Sequence, residues 1–475
     1  MMTSLSRRTA SLPRVPLAIL VLTIMTVLAG QLWSLRSSPA AVAAPAAVDP
    51  IAGSVDGAAG AAGAAVPLGP DVASLTSADL DRIRADITFW GDRFRASPRD
   101  FISATRLASS EVELARATGD IAAYLAADTA VTGALAAYPD YQAALDYRGV
   151  VLVALHRFVA ARDDATAILA DTPKDPTALA TLGDADLELG DVAAATSAYQ
   201  ALEVTADSSA ARVRLSHLAF IEGRTTEAVS QSHAAIADAI DEGASGSAMA
   251  WYDYQLGDTL IATGNRAGAA DAYAAALVAD PASHLARWGL ARIAAADGHT
   301  DQAITLLDQA IAAVPLPEFL ARRADLYGIR GGPGDAERAT ADRKTVLAIA
   351  QLSGGAAGVY DRTLSLFLSN TGSDPTRALT LAQSELGVRK DVYGYDALAW
   401  ALLANGRPAE ADGAMATALA FGTRDAKLLY HAGMIKAALG DAPDARTLLT
   451  GALTLDDSFD PVGAMRARAT LDRLP

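Results

Sequence analysis

The 475-residue chain contains no cysteine, which excludes disulfide frameworks, cysteine-ligated zinc modules and the acylated cysteine of a lipoprotein. The absence permits an oxidising compartment without demanding one. Aromatic residues are scarce too, 6% against a hydrophobic total of 51%, so the apolar surface available for burial is mostly alanine methyl. Alanine loses no side-chain entropy in a helix and lets helix axes approach closely, which suits packed helices. Positive charge is also short: the formal net charge is -16, and few of the cations are lysine. A surface of that sign repels phosphate backbones and anionic lipid headgroups, which argues against a nucleic-acid partner.

Chemistry-bearing motifs are missing as well. No segment forms a phosphate loop ending in Gly-Lys-Ser/Thr; "GIRGGPGD" (328–335) is glycine-rich but lacks the lysine, and it is expected to be a prolonged turn between helices. The histidines, His156, His217, His233, His284, His299 and His431, are scattered without metal-ligand spacing and none belongs to an H-E-x-x-H helix. Adjacent carboxylates such as Asp163 and Asp164 are expected on a solvated helix face, not as an acid and base pair. No catalytic, cofactor-binding or metal-binding residue is assigned, and an enzyme is not expected.

What the chain does possess begins with one uncharged run. Val15 to Leu35, "VPLAILVLTIMTVLAGQLWSL", is long enough to cross a hydrocarbon core at about 1.5 Å per residue, with Arg7, Arg8 and Arg14 before it and Arg36 after. The basic excess places residues 1–14 in the cytoplasm and everything after Arg36 outside it. Two readings stay open: an uncleaved signal anchor, favoured by the length, and a cleavable signal peptide, favoured by the small-residue exits "VLA" before Gly30 and "AVA" before Ala44. "SRRTASL" is only part of a twin-arginine pattern, because Ala10 and Ser11 stand where bulky apolar residues belong. Residues 37–70 are mostly Ala, Gly, Pro and Val with no aromatic side chain, too little to offset ordering entropy, and residues 36–74 are expected to be a flexible linker. Residues 75–107 are expected to be capping helices: Thr76 and Asp79 have capping-box spacing, and Leu80, Ile83, Ile87 and Trp90 share one face.

Beyond them the chain is periodic. "YQLGDTLIATGNRAGAADAYAAALVADP" (254–281) pairs two apolar stretches around a Gly-Asn turn and ends in proline. Turn glycines recur at Gly190, Gly223, Gly264, Gly298, Gly406 and Gly440, each followed five residues on by an alanine. The alanine phase, Ala161, Ala195, Ala228, Ala269, Ala303, Ala336, Ala378, Ala411 and Ala445, advances by 34, 33, 41, 34, 33, 42, 33 and 34 residues. Small residues sit seven before the turn (Gly149, Gly183, Gly257, Ala291, Ala399, Gly433), Tyr199 and Tyr273 fill a large-residue slot, and Pro139, Pro173, Pro281 and Pro315 close units. Each unit is a helix–turn–helix whose apolar face needs a neighbour, so the units must stack. The two long steps group the rungs in threes and predict lengthened second helices or longer junctions near 241–247 and 351–358.

This set of positions resembles the tetratricopeptide repeat, over residues 108–475. The resemblance implies an all-α, right-handed α-solenoid of about nine to ten repeats whose first helices line a concave groove for a peptide or a partner's helix. Counting from the turn glycines, the groove candidates include Tyr254, Asp258, Trp288, Arg292, Arg322, Asp325, Trp400 and Tyr430, together with Asp184, His217 and Tyr393. The carboxylate-clamp lysines and asparagines of some family members are absent. Asp184, Asp258 and Asp325 would favour a ligand with some positive charge, while Arg292 and Arg322 would pair with an acidic one. The expected role is a membrane-tethered, non-enzymatic protein-interaction scaffold outside the cytoplasm; the alternatives are a secreted binding protein or a regulatory subunit of an enzyme complex.

Overall fold

In a computed structural model of the protein, the residues described are 77–352 and 358–475. The apolar run at 15–35, the linker at 36–74 and most of the junction at 351–358 lie outside them. Among the described residues every regular element is a helix, 22 in all. Helix α1 (Ser77–Ala96) precedes ten hairpins. The first five are α2 (Phe101–Thr118) with α3 (Ile121–Ala137), α4 (Gln142–Ala154) with α5 (Phe158–Asp171), α6 (Pro176–Glu188) with α7 (Val192–Thr205), α8 (Ser209–Ile221) with α9 (Thr225–Asp241), and α10 (Gly246–Ala262) with α11 (Arg266–Ala279). The other five are α12 (His284–Ala296) with α13 (Thr300–Ala313), α14 (Pro317–Arg330) with α15 (Asp335–Leu352), α16 (Asp361–Thr371) with α17 (Pro375–Val388), α18 (Val392–Ala404) with α19 (Pro408–Leu419), and α20 (Ala426–Ala438) with α21 (Ala442–Leu455). Helix α22 (Pro461–Leu471) closes the series. The hairpins start at Phe101, before residue 108, so α1 alone stands ahead of them.

Local chemistry sets these boundaries. Aspartate caps many of the helices: Asp175, Asp191, Asp374, Asp425 and Asp441 each accept from a backbone N–H three residues on, which puts part of the chain's negative charge to structural use. Between first and second helix the turn glycines are left-handed, φ 83° at Gly190 and 74° at Gly223. The small residue then makes room for the second helix's tyrosine: a Cβ at Gly183 would fall 2.3 Å from Tyr199, and one at Gly257 2.4 Å from Tyr273. Eight of the nine rung alanines are fully buried; Ala336 is exposed, and Ala339 takes its place in the core. The cause is the Gly331–Gly334 turn: α15 starts at Asp335, one residue before Ala336 where other second helices start three before their rung alanine, and the buried alanine falls three residues later. The prolonged helix–helix turn foreseen for 328–335 begins there, at the left-handed Gly331. Second helices of 17, 17 and 18 residues, α3, α9 and α15, recur every third unit, whereas α5, α7, α11 and α13 have 14.

The hairpins wind back onto themselves. Lys390 N donates to Glu188 O at 2.9 Å. Arg389 Nε donates to Glu188 Oε2 at 2.6 Å across 201 residues, and Thr423 Oγ1 to Ile221 O at 2.6 Å across 202. Arg266 pairs with Asp457, 191 residues away. A seam therefore joins the hairpin turns of one superhelical turn to the inter-unit loops of the next, about 200 residues later. Gly190 and Gly223 sit in it: a Cβ would lie 2.5 Å from Lys390 O and 2.3 Å from Gly422 O.

Candidate functional site: the inner face of the first helices

The first helices carry an aspartate one residue after the small residue in several units, and the next unit supplies its partner. Asp184 on α6 accepts from Tyr199 OH at 2.8 Å and from Arg214 Nε and Nη2 of α8 at 2.8 and 2.9 Å, with both charged side chains about 1% exposed. Asp258 on α10 accepts from Tyr273 OH at 2.5 Å and from Arg292 Nη1 of α12 at 3.1 Å. Further along, Asp396 pairs with His431 Nδ1 at 2.8 Å; that imidazole stacks on Trp400 with centroids 4.0 Å apart, and Trp400 Nε1 donates to Asn370 Oδ1 at 2.7 Å. A buried carboxylate is tolerated because a prepositioned donor from the adjacent helix satisfies it.

These contacts correct the expected groove. Tyr254, Asp258, Trp288, Arg292, Arg322, Trp400 and Tyr430 are all buried, none more than 9% exposed, and only Asp325 keeps a partly exposed side chain. Asp184 and Asp258 are matched within the chain, so they do not await a cationic ligand. Burial, with the Asp460 charge beside it, pushes the Asp325 carboxyl up to about 6; Arg343 lies 3.6 Å away. Of the further groove candidates, Tyr393 is buried and His217 lies at the seam.

The structure brings five of the eight together with a segment the sequence reading passed over. The guanidinium groups of Arg292 and Arg322 both approach the indole of Trp288, 6.0 and 5.7 Å from its ring. Arg322 Nη2 donates to Phe459 O at 3.1 Å and lies 3.4 Å from Asp460; Arg292 Nη2 is 3.8 Å from Asp456. Phe459 packs against Tyr430 at 5.2 Å, and Tyr430 against Trp400 at 5.5 Å. The loop Asp456–Asp460, "DDSFD", thus covers the inner face. A hint was present: Asp457 occupies the offset where earlier units have their closing proline.

A second cluster lies at the seam. Arg362 makes a two-pronged bond to Asp391 (3.0 and 2.7 Å) and meets Glu385 at 2.9 Å, while Arg389 holds Glu188. Burial raises Glu188 well above the ordinary carboxylate range and Glu385 to about 7. Burial also lowers His156 to about 3 and His217 to about 4, keeping both imidazoles neutral. Leu187, Glu188, His217, Ile221, Asp391, Val392 and Phe421 enclose a cavity with room for about one water molecule. That space holds no more than a water molecule, and the cluster joins one superhelical turn of the chain to the next.

A tetratricopeptide repeat family model matches residues 254–317. The match takes in α11 to α13, most of α10 and Trp288 and Arg292. No curated protein matches. Similar solved structures include a human IFIT1 dimer with PPP-AAAA (13% identity, covering 79% of this chain and 94% of that one, TM-score 0.42). Yeast Tom70 is 13% identical, covering 82% of this chain and 92% of that one, TM-score 0.30. A tetratricopeptide repeat protein from Parabacteroides merdae is 17% identical, covering 56% and 98%, TM-score 0.30. Tetratricopeptide proteins generally serve as protein-interaction scaffolds. Among the described residues no helix is long and apolar enough to cross a membrane, and no three metal-ligating side chains converge.

Proposed function

We propose that this chain is a non-enzymatic protein-interaction scaffold, tethered by residues 15–35 with its repeats outside the cytoplasm, and that it binds a peptide or partner helix on the inner face of its first helices. The observation that carries the reading is the stack of ten hairpins, an architecture in which successive first helices line one side and present an extended surface to a partner. The negative net charge supports protein partners over nucleic acid.

The tether rests on the uncharged run and the arginines before it. The small-residue exits before Gly30 and Ala44 favour a second reading, in which the repeats are released as a secreted binding protein. Intact-mass measurement of the mature chain decides: an N-terminus at residue 1 or 2 that fractionates with membranes supports the tether, whereas a mature start near residue 30 or 44 replaces it with the released form.

A further inference from the structure

We infer that the loop Asp456–Asp460 is a built-in occupant of the inner-face site, and that this site takes an acidic segment with an aromatic residue, of the pattern Asp-x-x-Phe-Asp, in its place. The inference rests on the scaffold reading and names the partner's chemistry.

Three observations support it. First, the site presents cations to the loop: Arg292 and Arg322 come from neighbouring first helices and converge on Trp288, with Asp258 engaging only Nη1 of Arg292. Two guanidinium groups on one indole, with aromatic Tyr430 close by, form a site for carboxylate plus ring.

Second, the site is incompletely filled. Among the described residues, Trp288 Nε1, Arg292 Nε and Nη2, and Arg322 Nη1 are buried donors without a hydrogen-bond acceptor, and Asp456 Oδ2 is a buried acceptor without a donor. The parent residues Trp288, Arg292 and Arg322 are 1%, 2% and 9% exposed. Buried donors left unmatched forfeit hydrogen bonds they would make in water, so a ligand that satisfies them recovers affinity.

Third, the loop is a compromised ligand. Asp456 Oδ1 is occupied by Ser458 N at 2.8 Å, and Asp460 Oδ1 caps α22 through Gly463 N at 2.5 Å. Each carboxylate is held by its own turn, which leaves Asp456 3.8 Å and Asp460 3.4 Å from the arginines. A separate segment, free of turn and cap duties, can bring its carboxylates within hydrogen-bond distance.

The test uses a fluorescent peptide of residues 453–462 and the full chain, read by anisotropy at low ionic strength. Phe459→Ala frees the inner face and is expected to bind the peptide at least about tenfold more tightly than the unaltered chain. Adding Arg322→Ala should remove that gain, and a peptide with its Phe replaced by Ala should lose binding. Should Phe459→Ala lose helicity, Asp456→Asn with Asp460→Asn opens the same contact and carries the same expectations. Equal or absent binding in an opened, folded variant overturns the inference. If a panel of basic and helical peptides binds that variant nonetheless, the scaffold reading survives alone; if none binds, both fall.

Discussion

A carboxylate sealed among packed helices is stable only while its donors remain, and Asp184 is the severe case: Arg214, Tyr199 OH and the acid lie within one buried knot. Asp184→Ala leaves a guanidinium uncompensated in the interior and is expected to cost about 3–5 kcal/mol, whereas Asp184→Leu combined with Arg214→Met should recover most of the loss. Urea unfolding of the unaltered chain and the two variants checks this. A single substitution costing less than about 1 kcal/mol would mean that the knot does not hold the helices. At this scale the sequence was informative about backbone and small residues. Gly183, Gly257 and the rung alanines sit where a repeating contact forces them, because close helix approach leaves no space for anything larger. Ala336 was misplaced because alanine is abundant enough that a later helix start leaves one alanine at the expected offset and puts another, Ala339, in the core three residues on. The aspartates of the inner face were legible as inward-pointing, but not as paired, since the partner arrives from the next unit at varying offsets, 30 residues on for Arg214 and 34 for Arg292.

Among elements, α14 carries the clearest titration. Glu318 in its first turn is buried with Oε1 lacking a hydrogen-bond donor among the described residues, and burial lifts its carboxyl to about 7. A folded-state value above the unfolded one, near 4.5, means that the contribution to stability is complete below about 4.5 and fades as pH rises through about 7. Glu318→Gln mimics the protonated form. It is expected to match the unaltered chain at pH 5 and to exceed it in stability at pH 8 by about 1–3 kcal/mol. A variant equally stable at both pH values would show that the carboxyl is solvated. Hairpin number, the positions of the turns and the long second helices could be read from spacing, because each depends on local chemistry. The coverage of the inner face could not: "DDSFD" has no periodic signature, and its role exists only once distant hairpins are brought side by side.

For the molecule as wound, the seam is the decisive feature, and glycine tests it. Gly223 and Gly440 both hold left-handed turns, φ 74° and 79°, but a Cβ at Gly223 would strike Gly422 O at 2.3 Å whereas one at Gly440 meets nothing within 4 Å. Gly440→Ala should cost about 1 kcal/mol from backbone strain alone. Gly223→Ala is expected to cost about 1–3 kcal/mol more and to hasten amide exchange at Thr423, since the two superhelical turns must part. Equal losses would show that the turns do not bear on each other in solution.

The seam also constrains how the chain can change its length. Helical arrays ordinarily gain or shed whole modules with little penalty, because each module answers only to those beside it. Here Glu188 meets Arg389 and Ile221 meets Thr423 at a separation near 200 residues. Duplication or deletion of one module between them would shift every later loop off its mate, so the number of hairpins is held as firmly as any side chain.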